Sequence, residues 1–374
     1  MRRIPVNRLR VGMKVGRPIY NSRGELLLQA GTFLTSRVMA KLQRLGIPAV
    51  YINDGLVPDI EVKDVIAEET RVKAIKKVRT LMQEWRYGDI TNKPQRMASM
   101  SAEMKATVKE IIEQLLNSES TVVNLVDIRT LDEYTFGHSV NVCVLSLCTG
   151  IVLKYDRARL FHLGMGALLH DLGKTKINLE ILNKKEPLTS EEMEIIKQHP
   201  LDSYKMLSDM SDVSNLSAIT AYQHHERHQG QGYPQGLAGD DIHVFAKIVS
   251  VADVFDALTA DRVYRSAYPA HQAYELLCGA GNFLFDYDVV EAFLSTVAAY
   301  PVGTVVALSS GEIGVILETY KGYPLRPHVR ILFDRQGWPV KHPYEINLAE
   351  KYDIAITRVL EEEEITMLAR QQRV

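Results

Sequence analysis

Residues 166–174 read Gly-Ala-Leu-Leu-His-Asp-Leu-Gly-Lys, and the pair His170–Asp171 inside this stretch decides how the chain is interpreted. A histidine followed directly by an aspartate offers a nitrogen and an oxygen ligand on successive side chains, and the carboxylate can bridge two cations. On a helix, Lys174 lies one turn beyond His170, so an imidazole, a carboxylate and an ammonium group can face one cavity. A single His-Asp pair most often occurs by chance, so a metal site is predicted only if nearby residues can also bind metal.

Five further side chains that can bind metal surround this pair, namely His138, His199, His224, His225 and Asp253. Asp253 stands out because it lies in an apolar helical stretch, where a buried carboxylate is costly unless it is paired or binds a cation. His199 precedes a proline and also fits a helix-end cap. Neighbouring side chains on a helix diverge by about 100°, so His224 and His225 need not be equivalent ligands. Seven candidates exceed the needs of one divalent ion, which predicts a two-metal centre of the kind that mostly cleaves phosphate esters.

Length and composition set the class of protein. The chain has 374 residues, a globular composition and a formal net charge of −2. The length predicts about two to three domains, and the charge argues against a global field that attracts DNA or an acidic membrane. Its cysteines are Cys143, Cys148 and Cys278. They show no metal-ligand spacing, and the basic start has no apolar segment after it, so reduced thiols in a cytoplasmic protein are expected. The apolar run at residues 140–153 is predicted to be a buried helix.

Changes of pattern predict four segments, at residues 1–53, 54–118, 119–300 and 301–374. In the first segment, strand-like stretches at residues 14–20, 25–28 and 49–52 flank a helix that Ser36 could cap and Gly46 could end. This combination predicts a small α/β domain.

The second segment is predicted to be a helical connector. It begins with a linker at residues 54–59, and a charged helix follows at about residues 61–85. A second helix carries an apolar stripe formed by Met97, Met104, Val108, Ile111 and Leu115. Such a stripe fits either the core or the surface of a homodimer.

The third and fourth segments differ in periodicity. Apolar residues recur at helical spacing from residue 121 to about 299, which predicts a helical bundle. After Pro301 the chain is rich in β-branched residues separated by glycine and proline, which predicts a small β-domain with hairpins. The charged end at residues 361–374 is expected to be a surface helix or a frayed tail. The predicted fold is therefore mainly α, with a helical bundle between a small N-terminal α/β domain and a small C-terminal β-domain.

A glycine-rich segment, Gly230-Gln231-Gly232-Tyr233-Pro234, follows closely after the His224–His225 pair. Its two glycines allow the backbone to approach a ligand, and Tyr233 could stack on a base or bind a phosphate. The alternative is an ordinary surface turn.

Taken in order, these motifs resemble the HD-GYP domain, a bacterial branch of the HD metal-dependent phosphohydrolases. The resemblance covers about residues 121–299. It is carried by His138-Ser139, His170-Asp171-Leu172-Gly173-Lys174, His199-Pro200, His224-His225-Glu226-Arg227, Gly232-Tyr233-Pro234 and Val-Ala-Asp-Val-Phe-Asp-Ala-Leu-Thr at residues 251–259. It implies an all-helical catalytic domain that hydrolyses cyclic di-GMP to linear pGpG, and often on to GMP, in bacterial second-messenger signalling.

The resemblance also implies roles for individual residues. All seven candidates named above would bind metal, with Asp171 as the bridge, and Asp171 and Lys174 would serve catalysis. Substrate contacts would come from Lys174, Tyr233, Arg262 and Arg265. Some members hold a third metal through a glutamate at the position of Tyr134, so two divalent ions are expected here. Iron or manganese is expected first, with nickel and zinc as alternatives.

Several positions depart from the family pattern. His228-Gln229 replaces a usual Trp-Asp pair, which could loosen the loop that carries Tyr233, and Asn141 and Lys247 replace usual arginines. A module that only binds a cyclic dinucleotide or a protein partner therefore remains an alternative. Another alternative is an HD-type phosphohydrolase acting on linear nucleotides. Arg262 lies nine residues past Asp253, so the helix must end or bend near Asp261 for both to face one site.

Overall fold

The structure is a computed structural model that describes residues 1–21, 25–45, 47, 49–53, 60, 64–88, 93–118, 122–123, 134–260 and 267–371. The predicted linker at residues 54–59, the helix-ending Gly46 and the two arginines Arg262 and Arg265 lie outside these residues.

The middle of the chain folds into packed helices, as its periodicity predicts. Their bounds are α4 Tyr134–Val152, α5 Arg157–Leu169, α6 Leu179–Leu182, α7 Ser190–Ile196, α8 His199–Ser208, α9 Asn215–Gln223, α10 Val244–Thr259, α11 Ala270–Ala280 and α12 Tyr287–Leu294. Helix α10 is apolar on most sides and is therefore buried within the bundle. Its Phe255 packs edge-on against Phe293 of α12, with ring centroids 5.1 Å apart.

Helix α4 is the buried helix predicted from the apolar run. It is long and apolar enough to cross a membrane by composition, but 78% of the window Thr135–Val152 is buried inside the protein. Cys143 and Cys148 lie within it and are fully enclosed. Burial raises the pKa of the Cys148 thiol to about 12, so the thiol stays neutral and packs as a small apolar group.

The connector forms two helices, α2 Glu68–Tyr87 and α3 Lys93–Asn117. Helix α2 begins at Glu68, several residues later than predicted, and Ala67 before it has an extended backbone. In α3, Met104, Val108, Ile111 and Leu115 are buried in the same core as the bundle helices, and Met97 packs against that core. The Met-containing stripe is therefore core.

The N-terminal segment is a small α/β unit. A three-stranded antiparallel sheet has the order β1-β5-β2 and a hairpin pairs β3 with β4; the strands are β1 Arg2–Pro5, β2 Lys14–Val15, β3 Ile19–Tyr20, β4 Leu26–Leu28 and β5 Ala49–Asn53. Helix α1, Ser36–Arg44, begins at Ser36, but its cap is Thr35, whose hydroxyl accepts a hydrogen bond from the Val38 amide. The prediction of Ser36 as the cap is wrong by one residue.

The C-terminal segment is a five-stranded antiparallel sheet in the order β10-β6-β7-β8-β9. Its strands are β6 Val305–Leu308, β7 Ile313–Glu318, β8 His328–Phe333, β9 Pro339–Asn347 and β10 Ile356–Val359. The charged end forms α13, Glu362–Gln371. This helix is more than a surface tail, because Ile365 is buried with Phe333 and Leu360.

The two ends of the chain pack against each other. Tyr51 of β5 and Ile60 share a buried apolar cluster with residues of the C-terminal sheet and α13. Arg2 of β1 forms a two-pronged ion pair with Glu362, with nitrogen–oxygen distances of 2.9 and 3.0 Å. The exposed fractions of these two side chains are only 5% and 12%, so solvent screens the pair weakly.

We expect Glu362→Gln to lower the free energy of unfolding by about 3 kcal/mol, because it removes the Glu362 charge from a largely buried ion pair with Arg2. Glu363→Gln on the same helix is the matched control. It breaks an ion pair with Arg8 in which both side chains are about half exposed, so its cost should stay below about 1 kcal/mol. Chemical denaturation measures both, and equal effects would contradict the structural assignment.

Candidate metal centre

Helix ends deliver three of the predicted ligands. His170 follows the last residue of α5, His199 is the first residue of α8, and His224 follows the last residue of α9. In each case the ring Nδ1 lies 2.7–2.8 Å from the carbonyl oxygen three residues earlier, at Ala167, Ile196 and Ala221 respectively. Helix ends leave such carbonyls without a partner in the helix, so local structure fixes the orientation of these imidazoles.

The same hydrogen bonds fix the tautomer. A carbonyl oxygen can only accept, so in the neutral form of each ring Nδ1 carries the proton and Nε2 keeps a lone pair. His138 on α4 reaches the same state through a side chain, because its Nδ1 lies 2.6 Å from Asp256 Oδ2. The Nε2 atoms of these histidines converge on one buried space.

Asp171 lies at the centre of that space, with its two carboxylate oxygens facing different histidines. Oδ2 is 3.8 Å from His138 Nε2 and 3.5 Å from His170 Nε2. Oδ1 is 3.3 Å from His199 Nε2 and 3.9 Å from His224 Nε2. Two ligand atoms each about 2.1 Å from a cation and at a right angle lie about 3 Å apart, so these distances suit ligands of shared cations.

Asp253 of α10 closes the site from the opposite side. Its Oδ1 lies 3.0 Å from His138 Nε2, and its Oδ2 lies 3.9 Å from His225 Nδ1. The structure therefore brings all seven predicted ligands together. Two groups have ligand atoms within 4.8 Å of one another: His138, His170 and Asp171 form one, and His199, His224 and His225 form the other.

Two buried polar atoms at this centre indicate that a cation belongs there. His170 Nε2 and Asp171 Oδ1 have no hydrogen-bond partner within the part of the chain that the structure describes. Leaving such groups buried and unsatisfied is costly, and a divalent cation would satisfy both. The set of imidazoles and carboxylates matches the ligands that transition metals take in proteins.

The charges of the site favour metal binding at neutral pH. Burial lowers the pKa of His170, and it holds the pKa values of His224 and His225 well below the ordinary histidine value, so these rings are neutral. Burial alone would raise the pKa of Asp171. Despite this burial, the adjacent Lys174 ammonium above all holds the pKa of Asp171 well below its usual range.

Lys174 and Tyr233 border the ligands. The Lys174 ammonium lies 2.7 Å from Asp171 Oδ2, and about a quarter of the side chain is exposed. The Tyr233 ring stacks on His225, with ring centroids 4.7 Å apart and an interplanar angle of 26°. Burial raises the pKa of Tyr233, so its hydroxyl stays protonated and can donate a hydrogen bond.

The loop that carries Tyr233 is held by Glu226, a residue whose role the sequence analysis did not identify. The Glu226 carboxylate is buried and accepts hydrogen bonds from the amides of Gln235 at 2.7 Å and Leu237 at 3.0 Å. Gln229 itself donates to the Asn282 carbonyl at 3.1 Å. The departure at Gln229 thus leaves the loop well anchored.

The other two residues that depart from the family pattern, Lys247 and Asn141, also have ion-pair or hydrogen-bond partners. Lys247 forms ion pairs with Asp286 at 2.8 Å and Asp240 at 3.3 Å. Asn141 donates to Asp256, which in turn holds His138. Asp256 was visible in the sequence only as part of a motif, although the cost of a buried carboxylate that singled out Asp253 applies to it equally. Helix α10 ends at Thr259, two residues before the position where a helix end was required.

Comparison with known proteins agrees with this geometry. The model of the HD domain matches residues 89–289, slightly more than half of the chain, and a KOW domain associated with the HD domain matches residues 305–368. The chain therefore belongs to the HD domain family.

Three curated relatives are similar to this chain. A Pseudomonas aeruginosa protein named "Cyclic di-GMP phosphodiesterase PA4108" is 36% identical over 230 residues, which cover 62% of this chain and 55% of the relative. The Xanthomonas campestris "Cyclic di-GMP phosphodiesterase response regulator RpfG" is 32% identical over 54% of this chain and 53% of its own. The Vibrio cholerae "3'3'-cGAMP-specific phosphodiesterase 3" is 36% identical over 38% of this chain and 31% of its own.

This chain spans about half the length of the first two relatives and about a third of the last. The family match and these relatives confirm the HD-GYP resemblance predicted from the motifs.

A close approach makes Gly173 important for the site. A Cβ atom there would lie 2.1 Å from the His199 carbonyl oxygen and 2.7 Å from the Ser203 amide nitrogen. We expect Gly173→Ala to push α8 and its His199 away from Asp171, which should cost about 1–3 kcal/mol of stability and weaken metal binding. Thermal unfolding and metal content measure these effects.

Gly279→Ala is the matched control. Gly279 lies in α11 with nothing within 4 Å of the added Cβ atom, so the change should be neutral or slightly stabilising. Normal metal content in Gly173→Ala would show that the contact between the 3-10 turn Leu172–Lys176 and α8 does not hold His199 in place.

Proposed function

We propose that the chain is a metal-dependent phosphodiesterase that hydrolyses cyclic di-GMP to linear pGpG, to GMP or to both in bacterial signalling. One observation carries this proposal, which is that each oxygen of Asp171 faces a different pair of histidines. This arrangement suits a carboxylate between two cations better than a single-ion site. The names of the Pseudomonas and Xanthomonas relatives support cyclic di-GMP as the substrate.

We propose two divalent ions, with iron or manganese first and nickel or zinc as alternatives. His138, His170 and Asp171 would hold one ion and His199, His224 and His225 the other, with Asp171 shared between them. Asp253 lies close to both groups through His138 and His225. When bound, such ions lower the pKa of a coordinated water and stabilise negative charge on a phosphate.

The chain's own residues bind and orient the substrate in this proposal. Lys174 donates hydrogen bonds to a phosphate oxygen while it remains beside Asp171, and so stabilises charge that develops as the phosphorus–oxygen bond breaks. Tyr233 contacts the nucleotide from the rim of the site, where its ring already covers His225. Arg262 and Arg265 remain proposed phosphate contacts by resemblance.

We also propose four domains, at residues 1–53, 54–118, 119–300 and 301–374. We propose further that the protein acts in the cytoplasm and needs neither DNA nor a membrane surface. A homodimer through the connector would have to use faces of α2 and α3 other than the buried stripe.

Asp171→Asn tests the proposal directly. The amide keeps the shape but loses the charge that two cations need, so bound Mn²⁺ or Fe²⁺ should fall to a small fraction of the wild-type value. Hydrolysis of cyclic di-GMP should fall below detection. Metal analysis after anaerobic purification and chromatographic detection of pGpG and GMP give the two measurements.

Asp209→Asn is the control, since Asp209 is exposed at the end of α8. The substrate panel includes 3'3'-cGAMP and linear pGpG beside cyclic di-GMP. Turnover that persists in Asp171→Asn, or in metal-stripped wild-type protein, refutes the mechanism. Tight binding of cyclic di-GMP without product, in metal-loaded protein, would establish a binding module instead.

Lys174→Met tests the electrostatic role of the ammonium. Removing one preorganised cation beside the reacting phosphate should lower kcat by about 100-fold or more. Lys176→Met is the matched control two residues away, because Lys176 pairs with Asp202 and half of its side chain is exposed. Steady-state kinetics separate the two variants, and an equal loss in both would contradict a specific role for Lys174.

A further inference from the structure

An arginine of the connector helix is linked to a metal ligand through buried side chains. The guanidinium of Arg71 in α2 is held by Asp64, with nitrogen–oxygen distances from 2.8 to 3.1 Å. Its remaining terminal nitrogen donates to Asn141 Oδ1 at 2.7 Å. The planar guanidinium group of Arg71 therefore bridges the Asp64 carboxylate of the connector and the Asn141 amide of α4.

The link continues from Asn141 to the site. Asn141 Nδ2 donates to Asp256 Oδ1 at 3.0 Å, and Asp256 Oδ2 accepts from His138 Nδ1 at 2.6 Å. His138, Asn141 and Asp256 are all buried. The hydrogen bond at the nitrogen of a ligand histidine that does not bind the metal sets the ring orientation and basicity. Side chains that position Asp256 therefore also position His138 Nε2.

The same helix contacts the opposite side of the site through a second arginine. Arg86, in the last turn of α2, donates to the carbonyl oxygens of Lys174 and Ile177, each at 2.7 Å. These carbonyls belong to the 3-10 turn Leu172–Lys176 and the residue after it, directly behind Asp171. Arg71 and Arg86 lie about 22 Å apart along the helix axis, so α2 contacts the centre at two separate places.

We propose that Arg71 is a positioning residue for the metal centre, acting on His138 through Asn141 and Asp256, and that Arg86 supports the turn of Asp171 independently. This inference rests on the proposed metal centre, but not on the identity of the substrate. Through these two arginines, the connector would contribute to the affinity of the helical bundle for metal.

The contrasting explanation is that both arginines only attach α2 to the bundle. In that case their loss would lower the stability of the protein and leave the affinity for metal unchanged. A positioning role instead predicts a change in metal affinity in a protein that is still folded. It also predicts which pairs of substitutions act on the same ligand.

The experiment measures Mn²⁺ affinity of the full chain after chelator treatment, by the electron paramagnetic resonance signal of free Mn²⁺. We expect Arg71→Met to weaken the tighter binding step by about 10-fold or more. Lys73→Met is the matched control, since Lys73 is an exposed cation on the same helix, and its affinity should equal that of the wild type. Thermal unfolding confirms that each variant is folded.

A double-mutant cycle then tests the path. Asn141→Leu breaks the same link, so Arg71→Met combined with Asn141→Leu should weaken Mn²⁺ binding little more than either change alone. Arg86→Met acts on another part of the site, so its effect and that of Arg71→Met should multiply. Additive free-energy changes for Arg71 and Asn141, or unchanged affinity in Arg71→Met, would overturn the proposal.

Two further controls keep the test decisive. If Arg71→Met does not fold, Arg71→Lys replaces it, because a single ammonium cannot span both Asp64 and Asn141 as the guanidinium does, and unchanged affinity in that variant equally overturns the proposal. Wild-type protein that binds Mn²⁺ but hydrolyses no cyclic dinucleotide would refute the proposed function and leave this inference standing.

Discussion

The buried carboxylate of Asp171 is the constraint on which the rest of the structure depends. Its side chain is 1% exposed, and the Lys174 ammonium balances only one side of it. Oδ1 has no hydrogen-bond partner among the described residues and faces the imidazoles of His199 and His224. Burying a carboxylate in this way is costly without a compensating cation. A bound cation would offset this cost, because metal binding and folding are coupled.

Two kinds of local structure assemble the ligands, and they differ in what they depend on. His170, His199 and His224 are oriented by carbonyl groups three residues earlier in their own chain segment. The residue at which the preceding helix ends therefore determines the orientation of each of these rings. His138 lies within a helix whose carbonyls are already used, so it depends on Asp256 from α10, and through Asn141 on Arg71. The centre therefore has three histidines that are oriented locally and one, His138, that relies on distant elements.

This difference explains how much the sequence could predict. The helical bundle, the candidate ligand residues and the β-rich character of the C-terminal segment were predictable because each depends on a local pattern or on a short motif. Strand β9 gives a weaker signal in the sequence, because most of its side chains are exposed and its apolar alternation is weak. The docking of α13 through Ile365 and the link from Arg71 were not predicted, for a different reason. Each joins residues far apart in the chain, and a single sequence records neither partner's position.

The same contacts relate the ends of the chain to the candidate metal centre. The N-terminal unit and the C-terminal sheet share one apolar cluster, so they form a common base. Helix α2 leaves this base beside Arg17, whose guanidinium lies 4.0 Å from the Glu68 carboxylate at the start of the helix. Three residues further along, Arg71 joins the path to His138, and Arg86 supports the turn of Asp171 at the far end. If Arg71 positions His138 as we propose, a displacement of α2 relative to the bundle would reorient His138 and so change the affinity for metal.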